Sequence, residues 1–193
     1  MKDNKMMTLD DVRADVFRLW SRGVADRRSP FRSPALGTLG LDGQPRLRTV
    51  VLRAFDPGAR RLVVHSDVRA GKIAEIGRDE RVMLHVWDDG GQVQVQAGGT
   101  AAVQTGAAVR AEWDRLHPGS RATYRVRLTP GTARADPAAA DADQVDEEAA
   151  FANFAVIGVQ MTGLEWLHLG KEGHRRAAFT WNGVDHDAQW LVP

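Results

Sequence analysis

Arg46, Arg48 and Arg53 are threaded through Arg46-Leu-Arg48-Thr-Val-Val-Leu-Arg53, a run whose Val and Leu residues have the texture of a buried strand. A guanidinium keeps its charge at any working pH. Beside an apolar core it costs free energy unless an anion or a carboxylate meets it. The next apolar run, residues 61–66, ends in His65-Ser66, and Lys72 follows where a helix begins. Hydroxyl, ammonium and bidentate guanidinium groups gathered at strand ends are the donors that a phosphate needs. Arg48, Ser66 and Lys72 are therefore expected to form a phosphate cradle. Arg48 has a competing reading, a salt bridge to one of the chain's acids, which is the ordinary fate of a half-buried arginine. Lys72 on a short helix also fits a solvated surface charge. Strict alternation puts Arg48 and Arg53 on opposite faces, so they share one ligand only if a twist, a bulge or a strand end intervenes.

These residues need a scaffold, and the chain has the material for one. Its 193 residues are 43% hydrophobic and 26% charged, enough for one domain with a sizeable core. A net charge of +1 gives no general pull toward nucleic acid or anionic membrane. With no cysteine, disulfides, thiolate catalysis and cysteine metal sites are excluded. No apolar run is long enough to span a bilayer and no signal-peptide core follows Met1. A cytoplasmic protein binding a small molecule is the expectation. Asp185-His186-Asp187 is read as an exposed turn, not a metal site, since no second ligand cluster accompanies it.

Thr8, with Asp10 and Asp11 behind it, marks a helix N-terminus, and apolar residues at helical spacing carry that helix over residues 8–25. Strand texture begins at Ala35. Residues 35–41 and 46–55 form a predicted hairpin across Asp42-Gly43. A short helix over 69–78 leads to a strand over 82–87. Asp88-Asp89-Gly90-Gly91 then turns into the alternating Gln92-Val-Gln-Val-Gln96, and Gly98-Gly99 suggests a bulge. Residues 105–116 read as helical. Residues 129–146, rich in Ala, Asp, Pro and Gly, read as a mobile loop. A helical turn over 147–154 precedes a meander of strands at 155–161, 164–169, 175–181 and 189–192. Many short antiparallel strands, few helices and no βαβ alternation predict a mainly β protein, a small β-barrel spanning 1–193 as a single domain.

In this order, the pieces resemble the pyridoxamine 5′-phosphate oxidase-like family of FMN-binding split β-barrels. The likeness runs from about Ala35 to Pro193. Arg48-Thr49-Val50-Val51-Leu52-Arg53 is similar to the family's arginine-led strand beside the flavin, and His65-Ser66 stands where an aromatic-hydroxyl pair is usual. Lys72 matches a phosphate-binding lysine, and Gln92 a flavin-contacting glutamine. Trp166 and Arg176 keep the family's ten-residue spacing of Trp and Arg. The resemblance implies FMN as cofactor, a homodimer that completes the barrel, and an oxidoreductase of unknown substrate. A non-catalytic flavin-binding protein or sensor is the competing class, and deazaflavin- and haem-using relatives share the same barrel.

The departures concern the substrate half. The namesake enzymes carry a Tyr and an Arg near the positions of Trp113 and His117, and an arginine where Glu172 stands ahead of His174. Gly71 replaces an arginine before Lys72, and Thr129-Pro130 lies near the place of a missing Gln-Ser pair. Trp113, His117 and His174 are thus the candidate substrate contacts. Poor activity toward pyridoxamine phosphate itself is the expectation.

Overall fold

In the computed structural model, residues 7–135, 143–183 and 185–193 are described. Nine antiparallel strands form one sheet: β1 (Ala35–Leu39), β2 (Pro45–Thr49), β3 (Leu52–Asp56), β4 (Arg61–Asp67), β5 (Arg81–Asp88), β6 (Val93–Thr105), β7 (Phe154–Gly170), β8 (Gly173–Asn182) and β9 (Asp185–Leu191). The main path runs β2-β1-β5-β6-β7-β4-β3, with β8 paired to β7 and β9 to β8. Its two ends, β2 and β3, are consecutive in the chain and joined only by Val50-Val51. The sheet is therefore not closed by hydrogen bonds. The chain itself links the two edges, which makes this a split barrel.

That arrangement corrects the expected single strand over 46–55. β2 pairs with β1, placing Arg48 opposite Leu36, whereas β3 pairs with β4 at the other edge. The register slips between Leu52 and Ala54, so Arg53 is the extra residue of a β-bulge. A strand end and a bulge thus both lie between the two arginines.

The core follows from alternation. Leu36, Leu52, Leu62, Val64, Leu84, Val95 and Ile157 point inward and are fully buried. Helix α1 (Leu9–Ala25) covers this core with Val12, Val16 and Trp20, and Thr8 and Asp11 form its capping box. A second cluster, around Val109, Trp113, Tyr124, Phe151 and Phe154, is built from the segments between β6 and β7. Those segments include α3 (Arg110–Asp114), α4 (Pro118–Ala122) and α5 (Glu147–Ala152), so the helix expected over 105–116 is broken into a 3-10 turn and one α-helical turn.

Three further expectations change. The pieces at 155–161 and 164–169 are one 17-residue strand, β7, in which Thr162 is the extra residue of a bulge opposite Gly98-Gly99 of β6. Asp185, His186 and Asp187 lie in β9 opposite Asn182, Trp181 and Thr180, not in a turn. Of the loop expected over 129–146, residues 136–142 lie outside the described residues. Its described ends are tied down: Arg127 pairs with Asp143 at 2.7 Å, and Val126 bridges to Gln144. No described helix is long and apolar enough to cross a membrane.

Candidate functional site

Helix α2 (Gly71–Arg78) packs on β1 and β6 and brings a carboxylate to the arginine of β2. Arg48 Nη2 donates to Glu75 Oε2 at 2.6 Å, while Nη1 donates to the Thr38 hydroxyl and, at 3.4 Å, to Leu36 O. The Thr38 hydroxyl donates in turn to the same Glu75 oxygen at 2.5 Å. Thr38 and Glu75 are both buried. The salt-bridge reading of Arg48 is thus what the structure displays, with a partner that sequence reasoning missed. Arg48 is still not consumed by that pair. Its side chain remains 24% exposed and its Nε makes no hydrogen bond among the described residues.

Lys72 lies one turn before Glu75 on α2, and its Nζ donates to Ser66 Oγ at 3.2 Å. Burial depresses the Lys72 pKa and the Arg48 charge depresses it further, while Asp67 and Glu75 pull it back up. Arg48 and Lys72 are therefore close enough to repel each other. No side chain caps the N-terminus of α2, which leaves its first backbone N–H groups and its positive dipole end facing this region. Arg48, Ser66 and Lys72, the expected phosphate donors, thus lie near one another beside the start of α2, with Glu75 and Thr38 bonded to Arg48.

Arg53 belongs to a second group. Among the described residues it has no ion pair, and its buried Nε has no hydrogen-bond partner. It lies within electrostatic reach of His65, whose buried Nδ1 is likewise without a hydrogen-bond partner among the described residues and whose ring meets Phe154 edge-on at 4.9 Å. Burial, with the Arg53 charge adding to it, holds His65 down at about 4, so the imidazole is neutral at pH 7. Tyr124 lies in the same field. Burial and the Asp67 charge push its phenol up to about 12, against the pull of Arg53. His65, Ser66 and Asp67 are consecutive at the end of β4, so the two groups share this strand end, one on each face. Asp67 is held by Arg69 at 2.6 Å, and Arg69 also donates to the carbonyls of Val126 and Arg127.

The remaining candidates lie elsewhere. Val50 is buried and its N–H donates to Pro34 O at 2.9 Å, whereas Thr49 and Val51 are exposed at the strand break. Gln92 does not open β6. It sits in the preceding turn with φ of 49°, and its amide donates to Asp89 O at 2.7 Å. Trp166 is buried in β7 and stacks against His168, and Arg176 pairs with Glu165 at 2.7 Å. Arg176, His174 and Trp190 line a cavity of about 390 Å³. Trp113 is a core residue, packed on Tyr124, Phe151 and Phe154. His117 caps α4, its Nδ1 accepting from Gly119 N at 3.1 Å. Among the described residues no cluster of His, Asp and Glu is placed to hold a metal.

Residues 12–105 match the family model described as pyridoxamine 5′-phosphate oxidase, FMN-binding domain. Over that stretch the chain belongs to the pyridoxamine 5′-phosphate oxidase-like family. The matched stretch runs from within α1 to the end of β6 and contains Arg48, Arg53, His65, Ser66, Lys72 and Glu75, while Tyr124, Phe154, Trp166 and Arg176 fall beyond it. A pyridoxamine 5′-phosphate oxidase-related, FMN binding protein from Nostoc punctiforme has the same fold (TM-score 0.80, 19% identity, covering 97% of this chain and 100% of that one). So does PhzG from Burkholderia lata, solved with tetrahydrophenazine-1-carboxylic acid (TM-score 0.76, 16% identity, 99% and 98% covered). Pyridoxine/pyridoxamine 5′-phosphate oxidase 2 of Arabidopsis thaliana is 44% identical over 41 residues, 21% of each chain. That match spans about a fifth of the curated relative's length.

Proposed function

We propose that this chain is a homodimeric, FMN-dependent oxidoreductase acting on a small molecule less anionic than pyridoxamine phosphate. The observation that carries the reading is the pairing of two unlike groups at the end of β4. One is a cationic, hydroxyl-bearing cradle suited to a phosphate. The other holds buried polar atoms, Arg53 Nε and His65 Nδ1, that find no hydrogen-bond partner among the described residues. A ligand with a phosphate at one end and a polar ring at the other has the chemistry to satisfy both. An unpartnered buried polar atom costs about 1–3 kcal/mol, so a ligand that satisfies it gains correspondingly.

In this reading Arg48, Ser66 and Lys72 hold the phosphate, and Arg53 presents a fixed positive charge to the ring's polar edge. His65, neutral at pH 7, offers either a donor or an acceptor there. Val51 lies at the break between the two arginine-bearing strands, where exposed backbone can run beside a planar ring. A bound flavin supplies two-electron transfer, and the protein supplies binding, orientation and electrostatics. A positive charge near the ring stabilises negative charge that develops there, which favours electron uptake. Trp166, Arg176 and Gln92 stand as cofactor contacts only through the family resemblance, with His174 and Arg176 at the mouth of the 390 Å³ cavity.

The substrate half follows from charge. Glu172 is exposed in the turn between β7 and β8, where the namesake enzymes carry arginine, and His117 is engaged as a helix cap. A carboxylate within reach of a phosphate repels it. The test has two parts. Purified protein is expected to be yellow and to release FMN on denaturation. Loaded protein is expected to oxidise an amine, quinol or nicotinamide but to form little pyridoxal phosphate, with a gain in Glu172→Arg. Colourless protein that takes up no FMN overturns the cofactor reading. Bound FMN with no turnover of any such compound leaves a flavin carrier instead, and efficient pyridoxal phosphate formation overturns the substrate preference.

A further inference from the structure

We infer that Glu75 is the positioning residue of the anion site: its buried carboxylate holds the Arg48 guanidinium in place. The inference rests on the phosphate reading of that site and adds a residue to it. The geometry is a closed triangle. Glu75 Oε2 accepts from Arg48 Nη2 at 2.6 Å and from the Thr38 hydroxyl at 2.5 Å, and Arg48 Nη1 closes the third side on Thr38. Three chain segments, β1, β2 and α2, are tied together by these bonds. An arginine near the end of an edge strand, just before the chain breaks to the other edge, gains from such a clamp, because ordering a long side chain costs rotamer entropy that a bound anion otherwise has to offset.

Electrostatics gives the carboxylate a second effect. Burial and the Arg48 charge depress the Lys72 pKa, while Asp67 and Glu75 oppose that depression. Arg48, Lys72 and Glu75 together carry a net charge of +1, so the site stays attractive to an anion without two bare cations facing each other before the ligand arrives. The opposite expectation is equally concrete. If Glu75 acts only as a competing anion, removing its charge tightens anion binding. The two effects differ in sign, so one substitution decides between them.

Glu75→Gln keeps the size of the side chain and an oxygen acceptor while removing the charge. FMN and riboflavin affinities are compared for both proteins by fluorescence quenching, with inorganic phosphate as competitor. Positioning by Glu75 predicts FMN affinity reduced roughly 10- to 100-fold, the effect of a lost charge-assisted bond, and riboflavin affinity within about twofold. It also predicts that the Lys72 ammonium, followed by NMR in ligand-free protein, titrates at lower pH in Glu75→Gln. Thr38→Val, which removes one side of the triangle and keeps the carboxylate, is expected to weaken FMN in the same direction by a smaller factor. Thermal unfolding and the riboflavin affinity report whether each variant is folded. Unchanged or tighter FMN binding in Glu75→Gln overturns the inference and leaves the phosphate reading standing. Wild-type protein that binds neither FMN nor inorganic phosphate removes both.

Discussion

At the scale of single residues, the site is a set of charges whose partners decide their roles. Arg48→Ala leaves the buried Glu75 carboxylate without its cation. Breaking a buried pair by removing one partner costs about 3–5 kcal/mol. With Arg48 a quarter exposed, solvent screening brings the expected loss to about 2–3 kcal/mol. Urea unfolding measures it, and the double variant Arg48→Ala/Glu75→Gln is expected to recover part of the loss. FMN affinity in Arg48→Ala is expected to fall roughly 30- to 100-fold more than riboflavin affinity. Equal losses for the two flavins would show that Arg48 is structural only. His65 gives a pH dependence of defined sign. Its folded pKa lies at about 4 against an ordinary 6.5. Above 6.5 the ring is neutral in both states. Between 6.5 and about 4 only the unfolded chain takes up the proton, so stability falls as the pH drops through that window and levels off below it. The full shift is worth at most about 3 kcal/mol, less for a ring still partly open to water. His65→Phe, which suits the edge-on packing with Phe154, is expected to flatten this part of the stability curve, measured by urea melts at pH 4.5, 5.5 and 7. An unchanged slope would place the titration elsewhere.

At the scale of elements, one bulge sets Arg53 apart and another depends on a glycine. A Cβ at Gly99 stands 2.0 Å from Gln160 O, so the β6–β7 pairing at the bulge requires glycine there. Gly99→Ala is expected to cost at least about 2 kcal/mol, since the obstacle is backbone. Gly98→Ala meets only the end of the Met83 side chain, at 3.3 Å, and is expected to be mild. Near-equal urea midpoints for the two variants would contradict this account. The irregularity at Gly98-Gly99 was legible in the sequence, although its extra residue is Thr162 of the facing strand, and so were α1 with its Thr8 cap, the hairpin turn at Asp42-Gly43 and the meander after residue 154. Alternation and turn residues are local signals, and those elements are locally determined. The break at Val50-Val51 was not legible, because Thr49-Val-Val-Leu52 is uninterrupted strand texture. Only pairing with β1 on one side and β4 on the other splits it. Glu75 was hidden for a similar reason. On an eight-residue amphipathic helix a glutamate reads as solvated, and its partner lies 27 residues away. Trp113 was read as a substrate contact through resemblance, yet its aromatic neighbours Tyr124, Phe151 and Phe154 mark a core. Tyr124, the chain's only tyrosine, had no pattern around it to draw notice.

At the scale of the whole molecule, one face of the sheet lacks cover. β2 ends the hydrogen-bonded path, and its outward side chains continue onto β1 and β5. Leu47 is 71% exposed, Met83 40% and Leu39 38%, around a shallow depression of about 510 Å³. Clustered exposed leucine and methionine on a sheet edge is a liability in a monomer, and edge strands invite pairing with another chain. A second copy of the chain is the occupant expected here, in keeping with the homodimer that the family resemblance implies. The site gives a reason to couple assembly to binding. Leu47 and Arg48 are neighbours on β2 with side chains on opposite faces, so covering the outer face fixes the strand whose inner face holds the anion site. Light scattering is expected to return about twice the 21.2 kDa chain mass at micromolar concentration. Leu47→Glu is expected to give a folded monomer whose FMN affinity is at least about tenfold weaker, because β2 is then free to fray. A wild-type monomer that binds FMN tightly, or a monomeric Leu47→Glu that binds it as well as wild type, would separate the cofactor site from assembly.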